Sequence, residues 1–158
     1  MKKETARRLI WLALVLWLLL LAKFILFKKA PSYDRSFFTT RYEWRLVKKN
    51  WNNANWVPFA TIRRFYSSNR LRTTYKVDNL GGNVLGFIPL AFLLCQLYTT
   101  GSRTRKAFFT TALISLGFEC IQLVTPLGVF DIDDLILNTF GGLLGIGFFS
   151  VTRSLRSR

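Results

Sequence analysis

Four long stretches of this chain are almost free of charge, and they limit its fold more than any other feature. Leu9 to Phe27 carries Lys23 as its one charge, and Ala107 to Leu127 carries only Glu119. Leu80 to Tyr98 and Leu135 to Val151 carry none. About 20 apolar residues, at 1.5 Å each, cross the ~30 Å hydrocarbon core of a bilayer. Within that core the backbone must satisfy its own polar groups, so each stretch is expected to be a helix. The last is short, and Ile132 with the acidic turn before it completes the length.

The charge lies between these stretches. The formal net charge is +15, and Lys and Arg crowd the connecting segments. A nucleic-acid binder would spread its cations over a polar face, so nucleic acid is not expected as a partner. Lys2, Lys3, Arg7 and Arg8 precede the first stretch; Lys23, Lys28 and Lys29 close it, with Ala30 as the single small residue there. A cleaved signal would have a shorter apolar core and a small-residue cleavage site, so this reads as a retained anchor with Lys23 snorkelling outward. There is no histidine, which removes the commonest general acid/base and metal ligand. Cys95 and Cys120 sit in apolar segments near opposite faces and are expected to be unpaired thiols.

The expected fold is an all-α integral membrane protein. It has four transmembrane helices and a long basic, aromatic-rich extracytoplasmic loop at the interface, containing short amphipathic helices. One membrane domain, 1–158, divides into an N-terminal anchor and basic loop (1–54), a core (55–151) and a basic tail (152–158). The N-terminus, the 99–106 loop and the C-terminus share a side and are all basic, whereas the 128–134 turn has three acids and no cation. The positive-inside rule then puts both termini in the cytoplasm. Residues 28–78, with twelve Lys or Arg, fall outside against the simple rule, which weakens over long segments.

Aromatics are interleaved through that loop. As a helix, Tyr33, Phe37, Trp44, Val47 and Trp51 would form one stripe, with Phe38, Tyr42 and Leu46 opposite. Pro58 is placed to open a short helix. Phe59, Ile62 and Phe65 or Tyr66 would share its apolar side, with Arg63 and Arg64 on the flank. Such a loop lies on a bilayer with aromatics at headgroup level and cations on phosphates.

Asn83, Glu119, Gln122, Asp131, Asp134 and Asn138 all fall in the outer half of the bundle, and an ionisable group inside a span is a functional candidate. If helix begins at Asp131, then Asp131, Asp134 and Asn138 share a face and Asp133 points elsewhere. Asp131 also fits an N-cap, where acids suit the helix dipole. Asn138 and Gln122 also fit interhelical hydrogen bonds. Ser115, Glu119 and Gln122 lie on one face, and Arg63 and Arg64 are the expected cationic partners of Glu119. Gly82 with Gly86, and Gly141 with Gly145, are spaced for close helix packing. Pro89 is expected to kink its helix.

Asn55-Trp56-Val57-Pro58-Phe59-Ala60-Thr61-Ile62, Asn79-Leu80-Gly81-Gly82-Asn83 with Phe87-Ile88-Pro89-Leu90, Glu119-Cys120-Ile121-Gln122, and Phe130 through Gly142 occur in that order. Together they closely resemble the VanZ-like family, over about Asn55 to Val151. The resemblance carries the family's motif positions to Asn83, Glu119, Gln122, Asp131, Asp134, Asn138 and Gly141. It implies a bacterial protein of the cytoplasmic membrane. The family's namesake is associated with low-level resistance to teicoplanin, a glycopeptide that targets lipid-linked cell-wall precursor. Many members have an arginine just before the acidic motif; Thr125 to Val129 supplies none here.

The leading functional expectation is binding at the outer leaflet. The loop around Asn55, Trp56, Pro58, Arg63 and Arg64 would hold an anionic lipid or lipid-linked precursor. The acid–amide pocket would take a cationic or hydroxylated part of it, with no cofactor. One alternative is an enzyme in which Asp131, Asp134 and Glu119 hold Mg²⁺ or Mn²⁺ to act on a lipid phosphate. Others are a small transporter or flippase, dimeric through its glycine faces, and an assembly scaffold. Oligomeric state is left open.

Overall fold

A computed structural model describes residues 2–26, 44–67, 73–99 and 101–157. Six helices follow in order: α1 Lys2–Leu26, α2 Trp44–Asn53, α3 Ala60–Ser67, α4 Thr73–Leu97, α5 Arg103–Val124 and α6 Ile132–Arg156. Segments Lys3–Leu26, Asn79–Leu97, Arg103–Val124 and Ile132–Arg156 are long and apolar enough to cross a membrane. These are the four expected spans, with helix running well past the charge-free cores at several ends. Tyr33, Phe37, Phe38 and Tyr42, the N-terminal part of the aromatic stripe, lie outside the described residues.

α4 and α6 make the most extensive helix–helix contact, and glycines are the reason. A Cβ on Gly141 would fall 2.1 Å from the carbonyl oxygen of Val84, and one on Gly145 would fall 2.2 Å from that of Ile88. Only glycine lets the two backbones approach this closely, and in lipid that approach, not water exclusion, holds helices together. Gly86 faces α1: its carbonyl accepts the indole N–H of Trp17 at 2.8 Å, and a Cβ there would press on Leu21. Gly82 differs from the expectation of close packing. Among the described residues nothing lies within 4 Å of where its Cβ would stand.

Around the glycine contact, Leu14 and Leu21 of α1, Phe87, Leu90, Leu94 and Cys95 of α4, Ala107 and Phe118 of α5 and Phe149 of α6 form the apolar core. Leu9, Leu12, Leu16, Leu19 and Phe24 form an exposed face on α1, as do Leu143, Phe148 and Val151 on α6. On membrane spans these faces meet lipid. α4 continues through Pro89 as one helix. Cys95 is buried, Cys120 is exposed, and both thiols are free.

α2 and α3 lie at the end of the bundle where α5 finishes and α6 starts. Their moments are those of surface helices, with one apolar side each. Asn50 fastens α2 to α5: its amide nitrogen lies 3.2, 3.1 and 2.7 Å from the carbonyls of Gln122, Leu123 and Thr125. Those carbonyls belong to the last turn of α5 and its C-cap, Thr125, where the helix has no partners of its own for them. Pro58 precedes α3 rather than opening it. Val57 to Ala60 form a turn, closed by Ala60 N–H to Val57 C=O at 3.2 Å. Proline at the second position and a positive φ at the third, 63° at Phe59, follow the type II pattern. Phe59 therefore leaves the apolar side expected of it and is exposed, as is Tyr66, while Phe65 is buried.

Candidate functional site: a carboxylate-tied lid

Residues 129–131 are extended, because Gly128 and the turn after Pro126 stop α5 and α6 has not begun. Asn55 lies beside this stretch in a parallel bridge. Its N–H donates to Phe130 C=O at 2.9 Å, and its C=O accepts from Ile132 N–H at 3.0 Å. Trp56 continues the junction with its ring stacked on Phe130, centroids 4.5 Å apart, and against Trp51 at 4.7 Å. The loop that carries α2 and α3 is thus fixed to the mouth of α6 by backbone and by rings.

The acids complete the attachment. Asp131 has φ −140° and ψ 113°, so it is the N-cap of α6 and not part of the helix. Its Oδ1 accepts from Asp133 N–H at 2.9 Å and from the Asn55 amide at 2.8 Å; its Oδ2 accepts from the Thr61 hydroxyl at 2.7 Å. The extended backbone at Asp131 breaks the expected face of Asp131, Asp134 and Asn138 and turns Asp133 inward. Asp133 is fully buried, at 0% exposure, and does not point elsewhere. Its Oδ1 accepts from Phe59 N–H, and its Oδ2 accepts from Thr61 N–H at 2.7 Å and Ile62 N–H at 3.1 Å. One carboxylate therefore satisfies the otherwise orphaned amides at the start of α3, where the helix dipole also favours an anion.

Glu119 lies beneath, fully buried, with Oε2 accepting from Asp131 N–H at 2.9 Å. Arg63 and Arg64, its expected partners, are exposed on α3, whereas Glu119 is fully buried. The N-terminus of α3 faces the acids, and the arginines lie further along that helix. Asn138, also buried, donates from Nδ2 to the Ser115 hydroxyl at 2.9 Å. Gln122 turns to α1 and donates to Ile25 C=O at 3.0 Å. Asn83 and Asp134 are buried as well, and Asn83 borders an apolar cavity between α1 and α4. Ser115, Glu119 and Gln122 do share the buried face of α5.

Above these groups a cleft of about 350 Å³ opens beside Asn55, Thr61, Arg64, Phe65, Phe130 and Asp131. There a loop cation, Arg64, and a motif acid, Asp131, border the same space. Among the described residues, no group of three or more histidine, cysteine, aspartate or glutamate side chains is placed to hold a metal ion.

A family model described as VanZ/LLP1 matches residues 14–153. The chain belongs to that family. It is similar to Protein VanZ of Enterococcus faecium, 38% identical over 71 residues, which is 44% of this chain and 43% of that protein. The chain thus spans less than half the length of that curated relative. No solved structure matches it. Family membership and four apolar helices make this a VanZ/LLP1 multi-pass membrane protein. Within that family setting the ordered polar motifs are those of the lid junction: Asn55 to Ile62 meets Phe130 to Asp134, and Glu119 underlies both.

Sequence reasoning missed three residues of this site: Asp133, Thr61 and Asn50. The extended stretch before α6 was the missing element for Asp133, since one residue of strand reverses which acid faces inward. Thr61 and Asn50 bond to partners 70 or more positions away, and no local pattern marks such pairs.

Proposed function

We propose that this protein is a cell-envelope factor of the teicoplanin-resistance type, and that it binds the headgroup of a lipid or lipid-linked cell-wall precursor in the cleft beneath α3. The observation that carries this reading is the cleft wall, where Arg64 borders the same space as Asn55, Thr61 and Asp131. The guanidinium suits a phosphate, and the amide, hydroxyl and carboxylate suit the hydroxyls or amine of the attached group. Asp131 and Asp133 shape the cleft by tying the lid, and Glu119 supports Asp131 from below. Trp44, Trp51, Trp56, Val57, Phe59 and Tyr66 are exposed around the lid, as a surface seated among headgroups requires. In this reading the lid lies on the outer face and both termini in the cytoplasm.

The test is native mass spectrometry of protein extracted with its own membrane lipids, beside glycopeptide susceptibility of the expressing cells. Arg64→Gln and Asp131→Asn, each at wild-type membrane abundance, are expected to lose a specific lipid adduct and to lower teicoplanin tolerance. A lipid profile and a tolerance unchanged in both variants would falsify the reading and leave an assembly role.

A further inference from the structure

At the opposite end of the bundle, α4 finishes, α5 starts and α6 finishes. A cavity of about 400 Å³ there is lined by Gln96, Arg103, Thr152, Arg153 and Arg156, with Phe149 among its apolar walls. Three guanidinium groups from two helices border one space. No Asp or Glu occurs in residues 84–118 or 135–158. Glu4, on the first turn of α1, is exposed among Lys3, Arg7 and Arg8 and does not line the cavity.

The α6 dipole explains Arg153 and Arg156, which occupy its last turn. It does not explain Arg103. That residue opens α5, where the positive end of the helix dipole disfavours a cation, and it borders the same cavity as the other two arginines. Arg103 is half-buried, with its guanidinium carbon 5.9 Å from the centre of the Phe149 ring. The N-cap residue of α5, Ser102, makes no side-chain bond to the first turn. An anion in the cavity would relieve the arginine repulsion and the dipole mismatch together.

We propose that this cavity binds the phosphate group of an anionic membrane lipid. Arginines give a phosphate paired donors, and Phe149 with the neighbouring apolar wall suits the glycerol and first acyl carbons. The cavity lies where the spans end, the level of headgroup phosphates, and basic pockets between spans bind such groups. None of its residues belongs to the Asp131 cleft, so this site stands apart from the function proposed above.

The experiment is native mass spectrometry of the full chain in neutral detergent, titrated with phosphatidylglycerol or phosphatidylcholine. Wild type is expected to retain phosphatidylglycerol selectively. Arg153→Gln and Arg156→Gln, both at exposed positions, are each expected to weaken retention about fivefold. Adding Arg103→Gln should lower it further. A variant with Arg7→Gln, Arg8→Gln and Arg105→Gln removes three charges from the same end outside the cavity and should bind nearly as wild type. Equal weakening by both triple variants, or no preference for phosphatidylglycerol, would overturn the proposal. Displacement of the lipid by millimolar inorganic phosphate would also overturn the lipid assignment and make a free phosphate ion the ligand.

Discussion

Asn55 holds Asp131 by backbone and side chain at once. Hydrogen bonds of 2.9 and 3.0 Å flank Asp131 at Phe130 and Ile132, and the Asn55 amide donates to the Asp131 carboxylate at 2.8 Å. The same amide lies 3.2 Å from the Thr61 hydroxyl, which itself donates to Asp131. Asn55→Leu keeps the backbone bonds and removes the side-chain ones, leaving a buried carboxylate short of a donor. That loss is worth about 1–3 kcal/mol. Hydrogen exchange at Ile132 and across residues 59–62 is expected to quicken, with little change in α4 or in the α6 interior. Unchanged protection at Ile132 would mean that the backbone bridge holds the lid unaided.

Asp133 makes a sharper case, because its three partners are all backbone amides. Asp133→Ala strands the amides of Phe59, Thr61 and Ile62 against the bundle. Bonds to a charged acceptor contribute about 1.5–3 kcal/mol each on removal, so a loss near ~3 kcal/mol is expected even with partial rescue by water. Asp133→Asn, which keeps one acceptor oxygen, should fall between. Unfolding in detergent–denaturant mixtures measures both. The order wild type, Asn, Ala is the expected result, and Asn equal to wild type would show that the charge contributes nothing.

The spans, the approximate helix ends and the amphipathic loop pieces were legible because each follows from local composition. Long uncharged runs, charge at their ends, and Gly141 with Gly145 at helical spacing need no knowledge of distant residues. The site was legible as a set of motif residues but not as an arrangement. Helical phasing carried back to Asp131 pointed Asp133 away, whereas one extended residue at the N-cap turned it inward. By residue type alone, Arg63 and Arg64 pair with an acid. The dipole and open amides of a helix start serve the acids instead, and nothing in residue type alone shows which end of α3 faces them.

The glycines separate by what faces them. Gly141→Ala and Gly145→Ala place a methyl group against backbone carbonyls that cannot swing aside, since both belong to the interior of α4. Overpacking of this kind costs about 1–3 kcal/mol. Gly82→Ala meets open space and removes a flexible residue from a helix. Thermal unfolding in detergent should therefore show a lowered Tm for the first two and an unchanged or raised Tm for the third. A Gly82→Ala variant as unstable as Gly141→Ala would point to a partner for that face, such as a second copy of the chain.

Phe59 tests whether a strained residue is kept for its side chain. Its φ of 63° is a conformation that suits glycine, and holding a larger residue there costs about 1–2 kcal/mol. Asp133 stabilises the conformation by accepting the Phe59 N–H, yet the ring itself is exposed and packs no core. Phe59→Gly should leave the fold as stable as wild type or more so, because the turn keeps its hydrogen bonds and loses its strain. It should also reduce contact of the lid with lipid, since the ring stands beside exposed Val57 and Trp56 at the tip of the loop. Quenching of Trp56 fluorescence by brominated lipids reads this directly in reconstituted bilayers, with Trp44, Trp51, Trp11 and Trp17 replaced by Phe. Weaker quenching with an unchanged Tm is the expected pair of results. Equal quenching would show that the ring does not reach the bilayer, and a lowered Tm would show that it packs within the fold.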